Sequence, residues 1–342
     1  MKIDCNLIFK WGVALVGIAT LAGCAAPQNS LTAAGATFPY PVYSQWFDAY
    51  HTKTSTTINY QPMGSGAGVQ QIKSRTMDFG ASDTPVDDAQ LKTMPKKLLQ
   101  IPTVAGAVVI AYNLPGLKTP LKLDGPALAD IYLGKITKWN DAKISALNPG
   151  VVLPKIGIVV GHRSDGSGTS YIFTSYLSDV SPEWDKKVGT GKSVSWPVGI
   201  GGKGNSGVAG VIKQSPGALG YIELAYAAQN KFQYAALLNA AGNFVLPSVE
   251  ATTAAAAGST EKLKKDIRAS IVNAAGEQSY PIASFTYLLV YEDTGNVTKA
   301  NEIKVFLRWA ITDGQKMAKP LNYAPLPESV VRLDEKLIKR IH

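Results

Sequence analysis

Two long apolar runs limit what this chain can fold into. Residues 102–112 read PTVAGAVVIAY and residues 281–290 read PIASFTYLLV. Neither is long enough to cross a bilayer as a helix, and both have the character of strands buried on both faces. Around them, strand-like and helix-like patterns alternate from about Ser30 onward, which is the signature of an α/β chain. Strands are expected at 55–60, 77–81 and 156–160, and helices at 69–74, 170–177, 207–214, 302–311 and 328–341. Residues 251–258 (ATTAAAAG) are either the start of a helix or a mobile loop, and the pattern does not decide between them. A chain of 342 residues suffices for two domains of ordinary size. The two apolar strands are candidate crossings between them, with 31–104 and 281–342 in lobe I and 105–280 in lobe II.

The N-terminus is a targeting segment. Lys2 and Lys10 supply positive charge, an apolar run covers 11–22, and Leu21-Ala22-Gly23-Cys24 follows. A signal peptide over 1–23 is therefore expected. Small residues ahead of a cysteine resemble a bacterial lipoprotein cleavage site, at which Cys24 becomes the lipidated first residue and 24–30 a short tether. The alternative is a plain signal peptide with a cysteine there by chance. Cys5 and Cys24 are the only cysteines, so the mature chain has no disulfide, thiolate metal site or cysteine nucleophile. The formal charge is +9, and loss of Lys2, Lys10 and Asp4 with residues 1–23 leaves +8. Such basicity fits nucleic acid, a membrane surface or a small anion. The lysines are scattered, and an export signal argues against nucleic acid.

Three segments share one design, a loop rich in Gly, Ser or Thr that runs straight into a helix. They are 35–41 (GATFPYP), 64–68 (GSGAG) and 165–169 (DGSGT). A helix start leaves backbone N–H groups unpaired and carries partial positive charge, so it suits an anion. Any one of these loops is explained by ordinary helix capping. Three together, with Arg163 beside the third, point to a tetrahedral anion. Arg163 offers a planar fork of donors for two anion oxygens, and Asp165 is placed to hold that fork. Otherwise the two form a surface ion pair of small energetic value. Asp83 follows a short strand and precedes Thr84-Pro85, so its local context reads as a helix N-cap.

Other patterns carry less. Gly191-Lys192-Ser193 resembles the end of a nucleotide P-loop, but position 186 is Lys186 where the pattern needs glycine. Gly199, Gly201 and Gly204 have dinucleotide-fingerprint spacing, with Glu223 beyond them, yet read best as a generic loop before the helix at Gly207. The only histidines are His51, His162 and His342, and no nucleophile elbow surrounds Ser164, Ser167 or Ser206. Asp87-Asp88 reads as a solvated helix start, not a metal site. An exported phosphatase, a binder of another oxyanion such as sulfate or molybdate, and a structural surface protein are the competing functions.

Longer stretches narrow the choice. AAGATFPYPVY (33–43), MGSGAG (63–68), MDFGASD (77–83), DIYLGKITKWND (130–141), RSDGSGTSYIFTSYL (163–177), VGTGKSVSWPVGIGGKGNSGVAG (188–210) and PGALGYIELAYA (216–227) occur in order. Together they resemble the phosphate-binding proteins of phosphate-specific ABC transporters, within the bacterial periplasmic substrate-binding family. The resemblance runs from about Leu31 to the C-terminus. It implies a two-lobed type II periplasmic binding protein, each lobe a mixed sheet flanked by helices, with the ligand cleft between the lobes. It implies high-affinity binding of inorganic phosphate and delivery to the membrane permease subunits of an ABC importer, by a monomeric non-enzyme without cofactor or metal. The protein would be periplasmic or at the cell surface, held to the membrane only through lipidated Cys24. The phosphate contacts implied are Thr37, Phe38, Ser65 and Asp83 from one lobe and Arg163, Ser167, Gly168 and Thr169 from the other, with Asp165 behind Arg163. Position 162, often arginine in the family, is His162 here. An ionised Asp83 accepts the proton that phosphate keeps near neutral pH, and sulfate has none to give, so Asp83 is expected to reject sulfate.

Overall fold

The computed structural model describes residues 30–117 and 119–342. The expected signal peptide, Cys24 and all of the 24–30 tether except Ser30 lie outside the described residues. The N-terminal segment runs β1 (Ser30–Gly35), α1 (Tyr40–Thr54), β2 (Thr57–Pro62), α2 (Ser65–Lys73), β3 (Phe79–Ser82), α3 (Asp88–Leu91) and β4 (Leu98–Tyr112). Next come β5 (Lys122–Leu123), α4 (Gly125–Tyr132), α5 (Ala142–Leu147), β6 (Val159–Arg163), α6 (Gly168–Val180) and α7 (Pro182–Lys187). They are followed by β7 (Ile200–Gly202), α8 (Gly204–Gln214), β8 (Ala218–Glu223) and α9 (Leu224–Gln229). Short strands β9 (Gln233–Tyr234), β10 (Ala236–Leu238) and β11 (Phe244–Val245) precede α10 (Val249–Gly258) and α11 (Thr260–Lys265). The chain closes with β12 (Ala283–Tyr291), α12 (Val297–Ala310) and α13 (Glu328–Ile338).

One mixed sheet has the order β2-β1-β3-β12-β4-β8-β6-β7, with β9 also on β4. Strand β4 is buried at every position and serves two sets of partners. From Leu98 to Ala107 it pairs antiparallel with β12, and from Val108 to Tyr112 with β8. On the first side β1 is parallel to β2 and β3; on the second, β6 is parallel to β7 and β8. Each parallel group sends its strand ends toward the junction, and the loops that leave those ends open the helices. An antiparallel β4–β12 pair down the middle therefore brings two sets of helix starts to face each other.

Each side has its own aromatic core. On the first, Tyr43, Trp46, Phe47, Tyr50, Phe306 and Trp309 pack ring on ring. On the second, Tyr132, Phe173, Trp196 and Tyr221 do so, with Trp184 against Trp196. The buried indoles are satisfied as well as packed: Trp46, Trp139 and Trp184 donate to the carbonyls of Gly314, Gly217 and Gly189.

Several boundaries differ from those read in the sequence, for local reasons. Helix α2 begins at Ser65 rather than 69, and α8 at Gly204 rather than 207, because glycine's poor helix propensity matters little in a first turn held by tertiary contacts. Strand β6 continues to Arg163, since its backbone pairs with β7 through Gly202. Helix α12 starts earlier, at Val297, where Asn296 accepts the N–H of Lys299. Residues 251–258 lie within α10, capped by Ser248. No helix starts at Asp83. The chain stays irregular until Asp87 caps α3, with Asp88 in its first turn, so the Asp87-Asp88 pair is the helix start that its composition suggested.

Candidate anion-binding site

Four helix starts meet where the two sides of the sheet face each other. Residues Thr37 and Phe38 lead into α1. Its N-cap, Pro39, makes no side-chain cap, and Pro41 sits in the first turn. The Thr37 carbonyl accepts from Tyr226 Oη at 2.6 Å, and the Phe38 carbonyl from Tyr323 Oη at 2.6 Å. Both carbonyls are thus occupied, which fixes the peptide planes before and after Phe38, and with the first of them the Phe38 N–H. At the start of α2, Gly64 adopts φ +98°, and a Cβ there would lie 2.3 Å from Asp165 Oδ2 on the opposite side. Glycine is required at that position on both counts.

Opposite them, β6 delivers Arg163, which is 3% exposed. Its Nε and Nη2 donate to Asp165 at 2.7 and 2.5 Å, and its Nη1 donates to Thr169 Oγ1 at 3.0 Å. One edge of the guanidinium is therefore held by Asp165, so the fork that remains for an anion is the Nη1–Nη2 end. Asp165 also accepts the N–H of Gly204 at 2.9 Å, which ties α8 to the same anchor. Burial alone would raise the Asp165 carboxyl, but the Arg163 guanidinium and the Gly204 N–H more than offset it and hold it below the usual range. The pair lies in the site, not on the surface. Ser167 caps α6 by accepting the N–H of Ser170 at 3.0 Å, which leaves its own proton to give. The N–H groups of Gly168 and Thr169, in the first turn, have no intrahelical acceptor.

Asp83 follows the end of β3, is 1% exposed and, among the described residues, meets no cation at hydrogen-bond distance. Thr286 donates to its Oδ1 at 2.9 Å and Ser65 to its Oδ2 at 3.1 Å, while its own N–H donates to Ser65 Oγ at 3.1 Å. Burial pushes the Asp83 carboxyl up to about 7, against the pull of Thr286, Arg163, Ser65 and Lys192. The two sides touch at this point. A Cβ on Gly168 would lie 2.5 Å from Ser65 Oγ and 2.6 Å from Asp83 Oδ2, and the Gly66 N–H donates to the Gly166 carbonyl at 2.8 Å. The cleft is therefore shut on itself. A cavity of about 540 Å³ lined by Thr37, Tyr40, Met63, Lys203, Gly204 and Tyr226 lies on one flank. A second, of about 300 Å³ and lined by Asp83, Asp87, Asp88, Tyr171 and Arg268, lies on the other. Across the second, Arg268 donates to Asp88 at 2.6 Å while Asp266 holds its other edge.

All nine residues singled out around the three loops, Thr37, Phe38, Ser65, Asp83, Arg163, Asp165, Ser167, Gly168 and Thr169, converge here. Sequence reasoning missed the fourth helix start. Asn205, fully buried at the head of α8, donates to Thr37 Oγ1 from its backbone N at 3.2 Å and from Nδ2 at 2.9 Å. Its signal is present, since Gly202-Lys203-Gly204-Asn205-Ser206 repeats the design of the other three loops, although the glycine spacing reads first as a generic loop. Thr286, Tyr226 and Tyr323 carry no local signal at all. Lys192, which in the sequence stands only in an incomplete P-loop pattern, is largely buried beside the site; burial lowers its ammonium pKa while Asp83 and Asp87 oppose the shift. His162 stacks on Trp196, with ring centroids 5.0 Å apart, and places Nδ1 3.0 Å from the Arg163 carbonyl. It meets no serine.

The geometry as a whole is a buried guanidinium, several hydroxyl donors and free helix N–H groups around the buried carboxyl of Asp83. Such a set fits a small oxyanion that carries a proton. Comparison with known proteins agrees. Residues 22–314 match the family model described as the PBP superfamily domain. The chain is 48% identical over 303 residues to the phosphate-binding protein PstS of Xylella fastidiosa, covering 88% of this chain and 83% of the relative. It is 46% identical over 307 residues to phosphate-binding protein PstS of Haemophilus influenzae, covering 90% and 91%. The fold matches the crystal structure of a phosphate-binding protein from Stenotrophomonas maltophilia with a TM-score of 0.67 and 19% identity, over 90% of this chain and 93% of the other.

Proposed function

The chain belongs to the PBP superfamily and, within it, to the phosphate-binding proteins named PstS, and from that premise we propose how its cleft works. It has the fold of a type II periplasmic binding protein. It binds inorganic phosphate outside the inner membrane and delivers it to the permease subunits of an ABC importer. Lobe I comprises 31–104 and 281–342 and lobe II 105–280; the exchange of partners along β4, from β12 to β8, supports this division. Phosphate sits between the lobes. Thr37 and Phe38 give it backbone N–H groups, Ser65 and Asp83 complete that half, and Arg163, Ser167, Gly168 and Thr169 grip it from lobe II.

The observation that carries this reading is the pairing of unlike buried groups. Arg163, oriented by Asp165, supplies fixed positive charge, while Asp83 stands opposite without a cation. An anion with a proton satisfies both at once, by accepting from the guanidinium and donating to the carboxylate. An unprotonated oxyanion faces Asp83 lone pair to lone pair in a site closed to water, and is rejected. A binding role without catalysis is supported by relatives that carry the name phosphate-binding protein and by His162, which is committed to Trp196 and to a backbone carbonyl. The mature protein is a monomer anchored through acylated Cys24, with more than one acyl chain for stable attachment. Lobe closure by a hinge motion presents the loaded form to the transporter.

The test is calorimetric titration of the mature protein, freed of carried-over ligand, with phosphate and with sulfate at pH 5 and pH 8. One-to-one phosphate binding, with no sulfate heat at pH 8, is expected. A folded protein that binds no phosphate at either pH overturns the proposal.

A further inference from the structure

A hydroxyl has one proton to give and two lone pairs, so filling both lone pairs with N–H donors leaves it only able to donate. Two hydroxyls in the cleft are in that state, one from each lobe. Thr37 Oγ1 receives the backbone N–H of Asn205 at 3.2 Å and its Nδ2 at 2.9 Å. Thr169 Oγ1 receives Arg163 Nη1 at 3.0 Å and Asn205 Nδ2 at 3.2 Å. One amide nitrogen thus serves both hydroxyls, one hydrogen to each. The orientation of that amide is also fixed, because its Oδ1 accepts the N–H of Glu223 at 2.9 Å, a contact that the NH₂ end cannot make.

We propose that Asn205 is a positioning residue for anion capture: by donating to Thr37 and Thr169 together it turns both hydroxyl protons toward the ligand, and it does so only when the lobes are closed. This rests on the phosphate reading of the cleft. The coupling to closure follows from where the partners sit. Thr37 is in lobe I, whereas Thr169 and Asn205 are in lobe II, so opening the cleft removes the two contacts to Thr37 and leaves that hydroxyl free to rotate. In the open form Thr37 both donates and accepts; in the closed form it only donates. The change favours a ligand rich in acceptors at the moment of enclosure. The opposite polarity occurs at Asp83, where Ser65 and Thr286 point their protons at the carboxylate and leave it as an acceptor. The closed cleft thereby sorts its hydroxyls into two groups, one giving protons to the ligand and one giving them to the carboxylate.

The test is a double-mutant cycle on phosphate affinity, since contacting groups couple and independent ones add. Asn205→Ala is made in the wild-type chain and in a chain carrying Thr37→Val and Thr169→Val. In the wild-type background it is expected to weaken phosphate binding by about 10- to 100-fold, the effect of two lost hydrogen bonds to buried groups. In the valine background, where there are no hydroxyls to orient, a loss below about 3-fold is expected. Equal losses in both backgrounds, or no loss in the first, overturn the proposal. Asn205→Ser provides the same cycle should the alanine variant not fold, and thermal unfolding without phosphate reports any general loss of stability separately. If the unmodified chain itself fails to bind phosphate, it is the functional reading that fails, and the cycle is not what shows it.

Discussion

Two aspartates stand on opposite walls of the cleft, Asp83 fully buried and Asp165 part-buried, and they behave as different chemical groups. Asp165 accepts from both Nε and Nη2 of Arg163 and from the Gly204 N–H, so it stays ionised and its charge is consumed in orienting the guanidinium. Asp83 is the more deeply buried of the two; Thr286 and Ser65 donate to it, Arg163 and Lys192 act on it from a distance, and burial lifts it to about 7. The contrast shows that burial and the nearest donor together set the role of a carboxylate. Beside Arg163 a carboxylate is a fixture. Beside Ser65 and Thr286 it is an acceptor that can still be protonated.

The largest expected effect comes from removing the cation on which the contrast depends. Arg163→Met leaves Asp165 buried and unpaired, which is expected to lower phosphate affinity by about 1,000-fold or more and to destabilise the fold by about 3 kcal/mol. Calorimetry and denaturant unfolding read the two effects. Adding Asp165→Leu should restore stability without restoring binding; recovery of binding would mean that the guanidinium is not the anion's main partner. On the other wall, Asp83→Asn replaces a pure acceptor with a group that also donates. The preference for phosphate over sulfate should then fall by on the order of 10³ or more. An unchanged preference in competition titrations sinks the role given to Asp83.

The same difference predicts a pH response. Below about 7 Asp83 acquires a proton, whereas Asp165 does not in that range. Sulfate affinity of the unmodified protein should therefore rise by about tenfold or more between pH 8 and pH 5, and Asp83→Asn should abolish this dependence. A flat sulfate profile would place Asp83 outside the ligand's reach.

Another carboxylate, fully buried, serves as a reference for these two. Asp334 in α13 is fully buried, and neither of its oxygens has a partner among the described residues. Burial raises its pKa well above the usual value, so the folded state favours its neutral form and its cost to the fold grows as pH rises past the unfolded value near 4. Asp334→Asn should stabilise the protein by about 1 kcal/mol or more at pH 8 and by much less at pH 4, with phosphate binding unchanged. A destabilised variant at pH 8 would show that the carboxylate does find a partner. The smallest effect is expected at the cleft rim. Arg268 is part-exposed and links Asp88 to Asp266, so Arg268→Ala should cost less than about 1 kcal/mol and weaken phosphate binding only a few-fold. A loss as large as that of Arg163→Met would make this rim pair, rather than the buried site, the main clasp of the closed form.

Much of the fold was legible, because its strongest signals are local. The two apolar runs are the core strands β4 and β12, and loops of Gly, Ser and Thr do stand at helix starts. Boundaries failed where glycine opened a helix, as at Ser65 and Gly204, since propensity scores a residue without the contacts that hold it. The site was legible in the same measure. Arg163 and Asp165 lie two residues apart, and their pairing follows from proximity in the chain. Asp83 misled, because a strand end followed by Thr84-Pro85 has the local grammar of a helix cap, while its actual partners, Ser65 and Thr286, lie 18 and 203 residues away.

The sequence by itself determined an α/β chain, several anion-ready helix starts and an arginine with its own counter-charge, all properties of neighbouring residues. The tertiary structure decided which of those starts face one another, which lone pairs are filled and which carboxylate keeps a titratable proton. Thr37 and Asn205 are 168 residues apart, and Phe38 and Tyr323 are 285 apart. Hydrogen-bond polarity and pKa depend on distance and burial in space, and only the closed chain sets these.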